Sequence, residues 1–382
     1  MKVCYIAHKS VSLAGGELSL LGLMKNIQKY GVEPILVCDG GCPLVDEAES
    51  LGIRTKVIPI KHYTYQRKMV TNKAFLMYPI KRIYNMTQHR KMVEFLTNEK
   101  VALLHLNSSV VCHEWAAVAK KCNIPYIWHL REFKDIDHDA VTIGKRYFDS
   151  LIKAANKRIA ISKSIKDYWE KKLSRPCELV YNGLDKDDYY QQREILGADV
   201  IRCVIIARVV AGKGQLEAVK AFKILRDRGI DNVKLTVVGF RSKDTSPYEK
   251  EILTYIQSNG LEDVIELKDF TSDVRAVHAE NDVGLVCSRA EAFGRVTIEF
   301  MLAGLFAIGS NSGGTPELIS HEETGLLYQQ GSPEDLANQI EWVVRNRNKA
   351  KEIAKLAQKK AGQTFTIENT AANIFRIYSE IL

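Results

Sequence analysis

The sequence predicts an α/β protein with two Rossmann-like halves, each a parallel sheet with helices on both faces. Three observations carry this. Short apolar runs alternate with helical stretches along nearly the whole chain, the pattern of repeated βαβ units. A strand, a glycine turn and a helix occur in that order twice, at Val3–Ala7 with Gly15-Gly16 and at Arg202–Ile206 with Gly212–Gly214. The 382 residues exceed one typical core and suit two domains of about 180.

The elements follow from the periodicity of apolar residues. Val3–Ala7 reads as a core strand, Glu17–Gln28 as a helix, Glu33–Cys38 as a strand, Val45–Leu51 as a short helix and Lys56–Ile60 as a strand. A basic, aromatic segment follows, then a helix near Arg90–Glu99. Strands are expected at Val101–Leu106 and Pro125–His129, around a helix over Val111–Cys122. Arg158–Ile161 and Lys163–Lys172 repeat the strand–helix step, and a linker near 184–200 follows. The second half begins with the strand Arg202–Ile206, with a loop at Gly229–Asn232 and strands at Lys234–Val238 and Val264–Leu267 around a helix over Pro247–Asn259. Asp282–Cys287 reads as a buried strand and Val296–Ala303 as a helix stopped by Gly304. Helices over Pro333–Asn346, Lys349–Gln363 and about Ile367–Leu382 complete the chain.

Composition excludes several classes. Hydrophobic content of 46% and charged content of 26% are ordinary for a globular protein. No run of 18 or more apolar residues offers a membrane-spanning helix. Met1–Ala7 reads as a first core strand and not as a signal peptide, so a cytoplasmic protein is expected. Cys38 and Cys42 form C-x3-C without a second pair or a nearby His, so the eight cysteines read as reduced thiols. The net charge of +8 is concentrated. Lys61–Met92 holds eight cations (Lys61, Arg67, Lys68, Lys73, Lys81, Arg82, Arg90, Lys91) and no acid, interleaved with Tyr63, Tyr65, Phe75, Met77, Tyr78, Ile80, Ile83, Tyr84 and Met86. Cations with aromatics suit an anionic membrane surface or nucleic acid, and equally a solvated helix face over a buried aromatic stripe. No recognised nucleic-acid motif accompanies them, so nucleic acid is not an expected partner.

The chemistry concentrates in a second-half turn. Glu291 and Glu299 flank a strand-to-helix turn, Glu291 at its mouth and Glu299 about a turn and a half into the helix. Such a pair suits two hydroxyl-bearing parts of one long polar ligand, and the helix N-terminus faces its N–H groups toward an anion or sugar oxygen. Taken alone, the pair also fits a solvated helix face. Arg208 and Lys213 flank a glycine-bearing loop, offering a planar fork and a point charge that suit a diphosphate, without P-loop spacing. Gly15-Gly16 opens the first helix, where glycine allows close backbone approach and the helix dipole favours an anion; a plain turn fits equally. No Asp-x-Asp pair sits at a suitable strand end, so no metal site is expected.

With Phe293-Gly294 directly after Glu291, the run Asn311-Ser312-Gly313-Gly314-Thr315-Pro316-Glu317 and Glu323-Thr324-Gly325-Leu326-Leu327, the chain resembles the retaining glycosyltransferases of the GT-B class, family 4. The resemblance spans nearly the whole chain and is strongest from about 200 to 330. It implies an acceptor-binding domain over 1–184, its end marked by the hinge-like Val180–Asp185, and a nucleotide-sugar-binding domain over 185–365. A helix over 366–382 would cross back to the first domain, with ligands in the cleft. The implied activity moves a hexosyl unit, most often from a UDP-sugar, to a glycan or lipid-linked acceptor in polysaccharide or glycoconjugate synthesis. No cofactor is expected beyond that donor. The implied roles are sugar contact and oxocarbenium stabilisation by Glu291, sugar contact and proton movement at His129, and pyrophosphate binding by Arg208 and Lys213. Phe293 and Gly294 would offer N–H groups to the sugar, Glu299 would bind the ribose, Arg295 would add charge near the phosphates, and Gly15 and Gly16 would lie against them. Asn107 and Ser108 are expected on the acceptor side. For His129, a core or surface histidine is the plain alternative. The basic segment would set the enzyme on the inner membrane face. Two other classes are considered. Non-hydrolysing sugar-nucleotide epimerases share the fold but lack Glu-x7-Glu with the Arg/Lys set, and an inactive sugar-nucleotide binder would not need Glu291, Arg208 and Lys213 intact.

Overall fold

Seven parallel strands form the first sheet: β1 (Lys2–Ile6), β2 (Glu33–Cys38), β3 (Arg54–Val57), β5 (Leu103–Leu106), β6 (Tyr126–Leu130), β8 (Lys157–Ala160) and β9 (Glu178–Leu179), in the order β3-β2-β1-β5-β6-β8-β9. A two-stranded antiparallel ribbon pairs β4 (Thr64–Gln66) with β7 (Ala140–Thr142). The computed structural model describes residues 1–107, 111–134, 140–242 and 244–382. The chain divides into two units, Met1–Gly183 with Ile367–Leu382, and Leu184–Thr366.

The helices of the first unit are α1 (Gly15–Ile27), α2 (Pro43–Ser50), α3 (Asn72–Glu99), α4 (Cys112–Cys122), α5 (Lys145–Lys153) and α6 (Lys163–Leu173). Strands β1 and β2 are apolar on both faces, as a sheet covered on both sides requires. Leu20, Leu23, Met24 and Ile27 of α1 pack with Ala371, Ile374, Ile377 and Tyr378 from the helix near the C-terminus. That helix therefore belongs to the core of the first unit.

The basic segment corrects one expectation. The helix placed near Arg90–Glu99 runs unbroken from Asn72 to Glu99, through Pro79. Buried residues recur at Ala74, Asn85, Gln88, Met92 and Leu96, the 3.6-residue period of one inward face. Pro79 lies on the exposed face, where water can satisfy the carbonyl its ring leaves without an N–H partner.

The second unit repeats the plan with strands β10 (Ile201–Ile206), β11 (Val233–Phe240), β12 (Ile265–Asp269), β13 (Val283–Val286), β14 (Phe306–Ser310) and β15 (Leu326–Tyr328), all parallel, in the order β12-β11-β10-β13-β14-β15. Its helices are α7 (Lys186–Tyr189), α8 (Gln215–Asp227), α9 (Pro247–Ser258), α10 (Val274–Ala279), α11 (Arg295–Leu302), α12 (Thr315–Leu318), α13 (Pro333–Arg345) and α14 (Arg347–Thr364); α15 (Ile367–Ser379) is the helix joined to the first unit. In each sheet the order reverses once, between β1 and β5 and between β10 and β13. The loops leaving neighbouring strands diverge at such a point, so a crevice opens at the carboxyl ends of the strands.

Candidate functional site

At the second unit's reversal, two loops are joined directly. The β10–α8 loop carries Arg208 and Lys213, and the β13–α11 loop carries Ser288 to Gly294. Arg289 N–H donates to the Gly212 carbonyl at 2.9 Å. Gly214 has φ +72°, and a side chain there would collide with the Cys287 carbonyl. Both the left-handed backbone and the close approach therefore require glycine. Opposite, Gly313 has φ +57° and lies against the Glu291 backbone, while Gly314 N–H donates to the Glu291 carbonyl at 2.6 Å. Glu291 is thus held from both sides by backbone.

This packing sets the charged groups. Lys213 Nζ donates to Glu291 Oε2 at 2.7 Å, and Ser288 Oγ donates to the same oxygen at 2.8 Å. The Lys213 and Glu291 side chains are 31% and 18% exposed, so a ligand can compete for either. On α11, Arg295 Nε donates to Glu299 Oε1 at 2.9 Å, and its Nη2 donates to the Tyr189 hydroxyl at 2.8 Å. Burial pushes the Glu299 carboxyl above the usual carboxylate range, and the Arg295 guanidinium opposes that push. Glu299 is the fifth residue of α11, about one turn in. Phe293 is buried, and Gly294 precedes α11 with φ +103°. Arg208 is exposed two residues past the end of β10. The second unit therefore brings Arg208, Lys213, Glu291, Phe293, Gly294, Arg295 and Glu299 to one sheet edge. Arg295 is engaged with Glu299 and Tyr189. Ser288 and Tyr189 were not singled out from sequence; Ser288 stands inside the motif stretch, whereas nothing local marks Tyr189.

The first unit's reversal has a different character. Gly15 and Gly16 open α1 beyond β1 and are exposed; Glu17 Oε2 accepts the Ala14 N–H at 3.2 Å. His129 lies in β6, 2% exposed. Its Nδ1 is 2.9 Å from His105 Nε2 and 3.3 Å from Arg131 Nη2. Burial, then the charge of Arg131, hold both imidazoles well below their ordinary value, so they are neutral. Asn107 Oδ1 accepts from Arg131 Nε at 2.6 Å, and Asn182 Oδ1 accepts from Arg131 Nη1 at 2.9 Å. Burial brings the Arg131 guanidinium down to about 10. Ser108, the other residue expected on the acceptor side, lies outside the described residues.

Among the described residues no group of three or more His, Cys, Asp or Glu is placed to hold a metal ion, and no helix is long and apolar enough to cross a membrane. All eight cysteines are free thiols.

Two family models match the chain. The one described as Glycosyltransferase Family 4 covers residues 13–188, and the one described as Glycosyl transferases group 1 covers 190–360. Among curated proteins, the chain is 24% identical to an N-acetyl-alpha-D-glucosaminyl L-malate synthase of Bacillus anthracis, over 78% of this chain and 80% of that one. It is 30% identical to a GDP-mannose-dependent alpha-(1-6)-phosphatidylinositol monomannoside mannosyltransferase of Mycobacterium tuberculosis, over 38% and 39% of the two chains. Among solved structures, HepE of Anabaena in complex with UDP aligns over 100% of both chains, with a TM-score of 0.83 at 21% identity. The same protein in complex with UDP-glucose gives 0.80 over 100% of both, at 21% identity. A glycosyltransferase of Rickettsia africae gives 0.82 over 100% and 98%, at 20% identity.

Proposed function

Because the chain belongs to the group 1, family 4 glycosyltransferases and has their GT-B fold, we propose that it moves a hexosyl unit from a nucleotide diphosphate sugar to a hydroxyl acceptor with retention of configuration. The observation that carries this reading is the Lys213–Glu291–Ser288 contact one turn from the Arg295–Glu299 pair. Glu291 faces the transferred sugar, and Lys213 with Arg208 faces the pyrophosphate. Glu299, held by Arg295, takes the ribose hydroxyls. Lys213 leaves Glu291 for the phosphate when donor binds, which frees the carboxylate for the sugar. In the transfer step the bond between the anomeric carbon and the phosphate oxygen breaks and the bond to the acceptor oxygen forms on the same face. The acceptor proton passes to the departing phosphate oxygen. The two cations stabilise the charge that develops there, the part a divalent ion plays elsewhere.

UDP is the proposed nucleotide, supported by the UDP and UDP-glucose complexes of the HepE fold relative. The test is a panel of UDP-, GDP- and ADP-sugars read by protection against thermal unfolding, followed by transfer and hydrolysis assays on the hits. Protection by UDP-sugars and retained anomeric configuration are expected. Preference for GDP-sugars overturns the nucleotide assignment, and no response to any of them overturns the reading.

The acceptor is proposed to be a glycan or a lipid-linked one met at an anionic cytoplasmic membrane surface. What supports this is the outward face of α3, where Phe75, Leu76, Ile80, Ile83 and Met86 are exposed, Leu76 by 73%, beside exposed Lys73, Arg82, Arg90 and Lys91. Lys81 and Tyr78 do not belong to that face. Lys81 Nζ bonds the His62 carbonyl and the Tyr65 hydroxyl, and Tyr78 packs edge-on against Tyr63. Cations near such a surface contribute about 1 kcal/mol each, attenuated by salt. Sedimentation with vesicles tests this: binding rises with anionic lipid, falls in high salt and weakens in a Leu76→Gln, Ile83→Gln variant. Equal binding to neutral vesicles, or none to either, removes the membrane from the proposal.

A further inference from the structure

The turn that carries Glu291 is fixed by hydroxyls that the transfer chemistry does not use. Strands β13 and β14 pair in parallel up to Val286 and Gly309. Beyond that point their pairing stops, so the carbonyls of the β13–α11 loop need other donors. A buried carbonyl without one is costly. The end of β14 and the loop that follows supply donors from every second residue. Ser310 Oγ donates to the Ser288 carbonyl at 2.7 Å, Ser312 Oγ donates to the Arg289 carbonyl, and Gly314 N–H donates to the Glu291 carbonyl. Ser310 is fully buried and Ser288 is 2% exposed, so water does not compete for the first of these bonds.

That bond fixes where the Ser288 hydroxyl stands. The hydroxyl and Lys213 Nζ both donate to Glu291 Oε2, at 2.8 and 2.7 Å. Both bonds fall on one oxygen, so Oε1 stays open, among the described residues, for a ligand hydroxyl. The two donors differ in mobility. Lys213 reaches the carboxylate on a flexible stem, 31% exposed, and can turn to another anion. Ser288 has a single side-chain torsion between backbone and hydroxyl oxygen, and its backbone is tied to Ser310.

We propose that Ser288 and Ser310 are positioning residues for Glu291. Ser310 fixes the Ser288 backbone, and Ser288 pins Oε2 after Lys213 has left it, so that Oε1 keeps its aim at the ligand through turnover. A carboxylate held by Lys213 alone would swing free when donor binds. This role deepens the transferase reading above and rests on it.

Ser288→Ala and Ser310→Ala are each expected to lower kcat about tenfold, with donor KM changed less than about threefold, the effect of losing one hydrogen bond to a charged group. The donor is the sugar nucleotide that transfers in the panel described above. A merely structural loss is separated by a cycle with Glu291→Ala, read in single turnover with enzyme in excess. In that background each serine substitution should change the rate by less than about twofold, because the carboxylate it acts on is gone. A further tenfold loss there assigns the serines to the fold and overturns the proposal. A folded Ser288→Ala protein with wild-type kcat overturns it as well, and decides even if Ser310→Ala does not fold. Failure of the transferase reading looks different: the wild type itself then transfers from no sugar nucleotide. Transfer by the wild type with unimpaired serine variants strikes the positioning role alone.

Discussion

The two sheet reversals share one topology and opposite electrostatics. In the second unit the edge between β10 and β13 gathers ion pairs, one of them partly open to solvent: Lys213 with Glu291, and Arg295 with Glu299. In the first unit the edge beside β5 and β6 gathers neutral imidazoles, phenols and carboxamides in a closed hydrogen-bonded network around Arg131. The difference teaches how each edge can respond to a ligand. Ion pairs in partial contact with water exchange partners at small cost, because the solvent screens both states. A buried network of neutral groups about one guanidinium has no such freedom and presents fixed donors. Substitutions in the second unit should therefore act on turnover, and those in the first on stability as well.

The largest expected effect tests the charged edge. Lys213→Ala and Arg208→Ala are each expected to lower kcat by 10²-fold or more, the roughly 3–4 kcal/mol of one preorganised charge at a developing oxyanion. Their unfolding midpoints should stay near that of the wild type. Near-normal kcat in both variants would remove the phosphate assignment. Next, Arg131→Leu leaves Asn107 and Asn182 without their donor, and about 2 kcal/mol of stability should be lost on denaturant titration. A loss below a few tenths of a kcal/mol would mean that the neutral edge is as adaptable as the charged one.

Acid should separate the units further. Burial lowers the imidazoles of His105, His113 and His129 in the first unit and of His278 in the second, with His113 and His278 at about 4. The folded state then binds fewer protons than the unfolded chain, so stability is full above the ordinary imidazole value near 6.5 and falls as pH drops below it. For His113 and His278 the window closes near 4. Each of these imidazoles costs roughly 1 kcal/mol of stability at pH 5.5, so the first unit should weaken more. Fluorescence suits the measurement, because Trp115, Trp128 and Trp169 of the four tryptophans lie in the first unit. A fluorescence midpoint that holds steady from pH 7 to 5 while circular dichroism shifts would reverse the assignment. The smallest expected effect is none: turnover should persist in EDTA if Arg208 and Lys213 supply the positive charge, as proposed. Loss of activity restored by Mg²⁺ or Mn²⁺ would show that the cations at the charged edge do not suffice.

The charged edge was the more legible from sequence, for a physical reason. Glu291, Arg208 and Lys213 stand in short loops beside glycines and Glu299 one turn into the helix that follows, so spacing alone brings them to a strand-to-helix turn. The strand–helix alternation likewise marked most of both sheets. Features that depend on distant partners were not readable. The ribbon of β4 and β7 joins segments some 75 residues apart, and α3 was obscured by Pro79 and by surface apolar residues that blur its period. The hydrogen-bonded line from Tyr5 through Tyr378 and His105 to His129 draws on β1, β5, β6 and α15, and no window of sequence contains it. Ser288 and Tyr189 gain meaning only from the carboxylate and guanidinium they touch.

The placement of α15 has a consequence for how the protein is made. Residues 184–366 form the second unit as one uninterrupted stretch, whereas the first unit needs Ile367–Leu382, which the ribosome delivers after that stretch. Until then Leu20, Leu23 and Met24 lack their covering residues, and Tyr5 waits for a phenol 373 positions downstream. Vectorial synthesis usually lets the leading domain finish first. Here the chain order inverts that sequence: the trailing unit can mature during translation, and the leading one closes only after it.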